Sequence, residues 1–151
     1  MTGLTADKGT TACVFCVAPT QSDEASLIVH RASHVYAILN RFPYNNGHLM
    51  VLPYRHVPAL TDLSRDELHD LVERVQEAEE VLTAVYAPQG INVGINLGLS
   101  AGAGLRDHLH VHLVPRWNGD TNFISVLGET RVLSEDLPVT AAKLRSAWSA
   151  R

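Results

Sequence analysis

The stretch Asp107-His-Leu-His-Val-His-Leu-Val-Pro115 places a histidine at every second position, with apolar residues between them. Because the side chains of a β-strand point alternately to opposite faces, a strand over His108–Pro115 puts the three histidines on one face and the apolar residues on the other. Neighbours on one face lie about 6.5–7 Å apart, so three imidazoles in a row can serve one small ligand. Strand propensity explains alternation, but not three histidines at consecutive polar positions. The pattern therefore favours a functional site over a half-buried structural strand.

The spacing alone leaves two kinds of chemistry open. Two histidines separated by one residue on a strand form a suitable pair of metal ligands. An imidazole is also partly neutral near pH 7, so it offers a nucleophilic nitrogen without an added base. The strand pattern does not choose between a metal ligand and a nucleophile.

Around this segment the sequence changes from strand patterns to helix patterns and back. Ser64 and Glu67 form a capping box at the start of a long amphipathic helix, Ser64 to Tyr86. A second helix is predicted over Leu137–Trp148. Short apolar runs between turn residues predict strands over Ser26–Arg31, Val35–Arg41, His48–Leu52, Ile91–Leu97 and His108–Pro115, with a further one over Asn122–Leu127. Strands, one long helix and strands again predict an α+β fold.

Composition narrows the classes of function. The chain has 151 residues, 46% of them hydrophobic, and a formal net charge of −4, which argues against a nucleic-acid partner because such proteins carry a basic face. Residues 1–12 are polar and are expected to be a flexible terminus, with a single domain over 13–151. No apolar run suits a membrane span and nothing resembles a signal peptide, so we expect a soluble cytoplasmic protein.

The histidine segment resembles the defining motif of the histidine triad (HIT) family, His-apolar-His-apolar-His followed by two apolar residues. Val35–Arg41 is similar to the nucleoside-binding strand of that family, and Pro43–Pro53 is similar to its next segment. Roughly residues 13 to 117 match in order. The resemblance implies a HIT-like antiparallel five-stranded sheet with one long helix and a C-terminal helix, a homodimer or higher homo-oligomer, and a nucleotide α-phosphate bound over the histidines.

The resemblance also implies roles for individual residues. His110 is expected to attack phosphorus and carry a covalent nucleotidyl group, His112 to bind the phosphate or bridging oxygen, and His48 to orient the same group. Asn40 matches the position that contacts the ribose hydroxyls, although an asparagine at a strand end also commonly begins a turn. The glycine-rich loop from Asn96 to Gly104, which precedes the histidine segment, suits a phosphate cradle, because its backbone amides can approach oxygens closely. Its expected nucleotide-binding residues are Asn96, Ser100, Gly102 and Gly104.

Cys13-Val-Phe-Cys16 has three readings: two small core residues, a redox pair, or two ligands of a metal. No βαβ pattern follows it, as a redox motif of this spacing would require. In zinc-bearing members of the family the remaining ligands are a histidine after a Leu-Pro segment and the first triad histidine, which correspond to His56 and His108. The resemblance therefore favours a structural zinc ion, held by all four residues.

The triad does not determine which acceptor releases the nucleotidyl group. The longer glycine loop, Val114-Pro-Arg-Trp117 and Asn122-Phe-Ile124 are most similar to the bacterial diadenosine tetraphosphate phosphorylase branch of the family. This similarity implies a dinucleoside polyphosphate substrate and inorganic phosphate as the acceptor. A divalent cation accompanying the substrate is compatible with it. The alternatives are a dinucleoside polyphosphate hydrolase, a nucleoside phosphoramidate hydrolase, and a nucleotide-binding regulatory module without turnover.

Overall fold

A computed structural model describes residues 13–103, 107–120 and 134–151. The expected flexible terminus over residues 1–12, the expected strand over Asn122–Leu127 and the loop glycine Gly104 lie outside these described residues. No helix in the described part of the chain is both long and apolar enough to cross a membrane.

The described residues form one antiparallel sheet of five strands in the order β1-β2-β3-β5-β4. This arrangement confirms the predicted fold class. The strands are β1 (Ile28–Arg31), β2 (Val35–Leu39), β3 (Leu49–Pro53), β4 (Gly90–Ile95) and β5 (Val111–Arg116).

Two longer helices cover one face of the sheet. They are α3 (Arg65–Tyr86) and α4 (Leu137–Ser149), and they follow two single-turn helices, α1 (Val14–Val17) and α2 (Asp23–Ser26). The predicted capping box is present at α3: Ser64 Oγ accepts from the Glu67 amide at 3.1 Å, and the Ser64 amide donates to Glu67 Oε1 at 2.8 Å. Because both orphan amides are satisfied, α3 begins where the sequence predicts.

The two faces of the sheet have different partners. Leu49, Val51, Val111 and Leu113 face the main core, where α3 and α4 pack. The opposite face carries a smaller apolar cluster that includes Tyr36, Ile38, Met50 and Leu52, with Phe15 of α1 packed against it. Since Met50 lies opposite His112 in the β3–β5 register, the histidines belong to this second face.

Each strand differs from its predicted bounds by one to three residues at one or both ends, and at two strand starts the reason is local. The first strand begins at Ile28 and not at Ser26, because Ser22 caps α2 and Leu27 then takes a left-handed φ of 70°. The last strand begins at Val111, so His108 and His110 lie just before it. The Leu109 amide there donates to the carbonyl of Val57, at 2.8 Å, and not to a neighbouring strand.

Candidate active site and metal centre

The three histidines occupy two different environments. His108 is 1% exposed, whereas His110 and His112 are only partly buried. Leu109, Val111 and Leu113 are buried between them, as the predicted alternation requires. The segment therefore has a closed end at His108 and an open end at His112.

At the closed end a backbone carbonyl fixes the ring of His108. Its Nε2 lies 2.7 Å from the carbonyl oxygen of Pro53, which can only accept, so this nitrogen carries the proton. The lone pair is then on Nδ1, which lies 3.6 Å from the sulfur of Cys13 and 3.6 Å from that of Cys16. Burial lowers the pKa of His108, which favours the neutral ring that a metal ligand must be.

Four ligand atoms meet at this end. One from each of Cys13, Cys16, His56 and His108 lies within 4.8 Å of the others, and Cys16 Sγ is 3.3 Å from His56 Nδ1. A tetrahedral zinc ion with bonds of about 2.3 Å to sulfur and about 2.0 Å to nitrogen would separate such atoms by about 3.5 Å. Burial and the Cys13 thiol raise the pKa of Cys16 to about 11, an effect that a bound cation would oppose. Both the donor set and the spacing fit zinc.

His110 has the opposite tautomer. Its Nδ1 donates to the carbonyl oxygen of His108 at 2.7 Å, so the lone pair is on Nε2. Its ring lies 4.6 Å from the ring of His112, edge to face, and 5.1 Å from that of Phe15. A partly buried ring with a free Nε2 can act as a nucleophile.

At the open end the backbone of the β2–β3 loop determines the proton positions. The Tyr44 amide donates to His48 Nδ1 at 3.2 Å, so His48 carries its proton on Nε2. That nitrogen lies 2.9 Å from His112 Nδ1 and donates to it. A neutral His112 therefore presents a protonated Nε2. Burial, followed by the charge of His112, lowers the pKa of His48 to about 4, which keeps this ring neutral.

The space beside His112 is open on one side. In the sheet register His112 lies between Met50 of β3 and Gly94 of β4. A Cβ atom added at Gly94 would meet nothing within 4 Å. A ligand can therefore approach His112 across β4.

The predicted nucleotide-binding residues outside the triad follow β2 and β4 in the described part of the chain, except Gly104, which lies outside it. Asn40 directly follows β2, and its Oδ1 accepts from the Phe42 amide at 2.8 Å, the turn-forming bond that is the competing interpretation of this residue. Asn96 directly follows β4, whose last pair is Ile95 with Val111, so it leaves the sheet beside the histidine segment. The exposed Ser100 lies in a 3₁₀ turn after it, and Gly102 has a left-handed φ of 98°.

Sequence reasoning missed the groups that orient the rings. The carbonyl of Pro53 and the amide of Tyr44 are backbone atoms, and residue type does not mark them. Phe15, whose ring lies near that of His110, could have been identified from the sequence, because it lies between the two predicted cysteine ligands.

Comparison with known proteins agrees with this geometry. The HIT domain model matches residues 21–119. The chain is 49% identical over 135 residues to AP-4-A phosphorylase of Mycobacterium tuberculosis, covering 89% of this chain and 69% of that protein. It is 37% identical to the bis(5'-nucleosyl)-tetraphosphatase (asymmetrical) of Schizosaccharomyces pombe, over 63% of this chain and 52% of that protein.

Two solved structures share the fold. A histidine triad nucleotide-binding protein of Sulfolobus tokodaii has a TM-score of 0.72 at 24% identity, over 91% of this chain and 93% of that one. A Zn-bound histidine triad family protein of Mycobacterium smegmatis has a TM-score of 0.71 at 23% identity, over 93% and 96%. The predicted resemblance, including its phosphorylase branch, is confirmed. The chain therefore belongs to the HIT domain family and is an enzyme of that family.

Proposed function

We propose that this enzyme cleaves dinucleoside polyphosphates such as diadenosine tetraphosphate at the α-phosphate, through a nucleotidyl group carried on His110. One observation carries the proposal: the bond from His110 Nδ1 to the His108 carbonyl leaves the Nε2 lone pair free, beside a histidine that presents a donor. This pairing of a nucleophile with a donor is what transfer at phosphorus requires.

The first step forms a bond from His110 Nε2 to the α-phosphorus and breaks the bond from that phosphorus to the bridging oxygen. The leaving polyphosphate keeps the electron pair of the broken bond, and the Nε2 proton of His112 stabilises the charge on the oxygens. With diadenosine tetraphosphate, this step releases ATP and leaves an adenylyl group on His110. His48 holds His112 in the tautomer that makes this donation.

In the second step an oxygen of inorganic phosphate attacks the adenylyl phosphorus. The nitrogen–phosphorus bond breaks, ADP leaves, and the electron pair returns to His110. The 49% identity to the mycobacterial AP-4-A phosphorylase supports phosphate as the preferred acceptor. Water as acceptor, which would give AMP, is the second candidate, supported by the 37% identity to the yeast tetraphosphatase.

The residues around the open region have supporting roles in this proposal. Because Asn40 Oδ1 closes the turn to Phe42, the side-chain amide nitrogen Nδ2 is the group that contacts a ribose hydroxyl in this proposal. The glycine-rich loop supplies the polyphosphate contacts, through Asn96, Ser100, Gly102 and Gly104. Loop amides near a left-handed glycine such as Gly102 suit an anion.

We also propose that Cys13, Cys16, His56 and His108 hold a structural zinc ion. All four positions are protein ligands, so the ion would join the N-terminal arm to the histidine segment and take no part in the reaction. A cytoplasmic location is part of this proposal, since a reducing compartment keeps the two cysteines, which are free thiols here, available as ligands.

A homodimer is the proposed assembly. β4 lies at an edge of the sheet, and its residues Asn92 to Gly94 are exposed. An exposed edge strand is a surface on which a second copy of the chain can pair.

The test is to incubate the purified protein with diadenosine tetraphosphate, with and without inorganic phosphate, and to identify the products. Phosphate-dependent formation of ADP and ATP supports phosphorolysis. AMP and ATP formed without phosphate would instead identify the enzyme as a hydrolase, and an absence of any cleavage would contradict both.

A further inference from the structure

The orientation of the His48–His112 pair depends on one backbone bond from the β2–β3 loop. The donor is the amide of Tyr44, 3.2 Å from His48 Nδ1. Tyr44 is 82% exposed, and its ring lies 5.9 Å from that of His48, centroid to centroid, so this contact does little to fix the loop against the rest of the molecule. The position of the amide must therefore be fixed by the residues next to it.

Two asparagines tie this loop to other parts of the molecule. Asn46 Oδ1 accepts from the Glu135 amide at 2.9 Å, just before α4, and Asn45 connects the loop to β5. Both hydrogens of the Asn45 side-chain amide are used: Nδ2 donates to the Pro115 carbonyl at 2.9 Å and to Asp120 Oδ2 at 2.8 Å. Its own carbonyl accepts from the His48 amide at 3.2 Å. Pro115 lies on β5, the strand that carries His112. The loop is thus fixed to the same strand as the histidine that it orients.

Asp120 is itself held in place. It accepts from Arg116 Nε at 2.8 Å and from the Trp117 amide at 3.3 Å, so the acceptor that Asn45 uses is part of a rigid turn after β5. The two hydrogen bonds of the Asn45 side chain therefore hold the exposed loop against this turn and against β5.

Loss of the hydrogen bond from the Tyr44 amide would allow the protons of the His48 and His112 rings to move to the other nitrogen of each ring. With no donor at Nδ1, His48 can carry its proton there, and its Nε2 lone pair would then face His112 Nδ1. His112 would have to place its own proton on Nδ1, and its Nε2 would present a lone pair to the substrate oxygens. The contact between His112 Nε2 and the phosphate oxygens would then be repulsive and no longer a hydrogen bond.

We propose that Asn45 is a positioning residue, which sets the tautomers of His48 and His112 by anchoring the β2–β3 loop to the end of β5. The inference rests on the proposed function, because the donor at His112 matters only if a phosphate binds there. Its spectroscopic part needs no substrate, so it can fail separately from that function.

The test compares the wild-type protein with Asn45→Ala at neutral pH. Long-range ¹⁵N–¹H NMR identifies which ring nitrogen of each histidine carries the proton, and steady-state kinetics with diadenosine tetraphosphate gives kcat and KM. Gln89→Ala is the matched control, because its exposed side-chain amide also bonds the turn after β5, through the Asn118 amide, but does not contact the loop.

The wild type is expected to carry the proton on Nε2 in both His48 and His112. In Asn45→Ala we expect a mixture of tautomers in both rings and a fall in kcat of about tenfold or more, with little change in KM. Gln89→Ala should match the wild type in tautomers and kcat.

Three results would overturn the proposal. They are a wild-type His48 protonated on Nδ1, an Asn45→Ala variant with wild-type tautomers, or a variant with altered tautomers and unchanged kcat. If Asn45→Ala fails to fold, Asp120→Ala removes only one of the two acceptors and is tested by the same measurements.

Discussion

The closed end and the open end of the histidine segment use one residue type for different chemistry. His108 carries its proton on Nε2 and directs its Nδ1 lone pair at two partly buried thiols. Two residues later, His110 carries its proton on Nδ1 and leaves Nε2 free on a partly exposed ring. The difference shows that the backbone group bonded to one ring nitrogen decides what the other nitrogen can do.

The largest expected effect is at the open end. His110→Ala removes the proposed nucleophile, so turnover of diadenosine tetraphosphate should fall by at least about a thousandfold while nucleotide binding is largely retained. Rapid-quench kinetics and calorimetric titration with the nucleotide measure the two quantities. His69→Ala, which removes an exposed histidine of α3, is the control and should leave both unchanged. Near-normal turnover in His110→Ala would mean that another group attacks phosphorus.

Removing a ligand at the closed end should act first on stability. In His56→Ala the zinc content measured by elemental analysis should fall below one ion per chain. The melting temperature should decrease by about 10 °C, because a structural metal contributes directly to folding. If the wild-type protein contained no zinc and His56→Ala still lowered the melting temperature, the four residues would not be a structural zinc site.

Acid should lower the free energy of unfolding by protonating His48, at the open end of the histidine segment. The pKa of His48 is lowered to about 4, while a histidine in the unfolded chain has a pKa of about 6.5. Between these values the unfolded chain binds more protons, so stability that is present above about pH 6.5 is lost as the pH falls towards 4, by about 3 kcal/mol.

Urea unfolding of the wild type and of His48→Gln across this pH range measures the effect. The variant lacks the titrating ring, so its stability should depend less steeply on pH. Parallel curves for the two proteins would show that His48 is not buried as a neutral ring.

The smallest effect on stability is expected at the start of α3, away from both ends of the histidine segment. Ser64→Ala removes the cap of α3 and should lower the free energy of unfolding by about 1 kcal/mol. Neither kcat nor the zinc content should change. A loss of activity here would show that general destabilisation accounts for part of the effects at the two ends.

Much of the fold could be predicted because local patterns determine it. The capping box of Ser64 and Glu67 determines where α3 begins, and alternation places Leu109, Val111 and Leu113 in the interior. The start of β1 was less accessible, since it depends on the left-handed backbone at Leu27, an unusual conformation for leucine.

The site was predictable where residue type carries the chemistry. His56 and His108 are far in sequence from the Cys13–Cys16 pair and from each other, yet the structure brings all four residues together as the family resemblance implies. The tautomers were not predictable, because they depend on the Pro53 carbonyl and the Tyr44 amide. Which backbone groups reach a ring follows only from the register of the folded strands.

The proposed reaction depends above all on a nucleotidyl group carried by His110. The most direct measurement is mass spectrometry of peptides from protein quenched within one turnover of diadenosine tetraphosphate, in the absence of phosphate. We predict one adenylyl group on the peptide that contains His110, assigned to that residue by fragmentation and removed as ADP when phosphate is added before quenching. An adenylyl group on another residue, or turnover with no modified peptide at any quench time, would contradict the account.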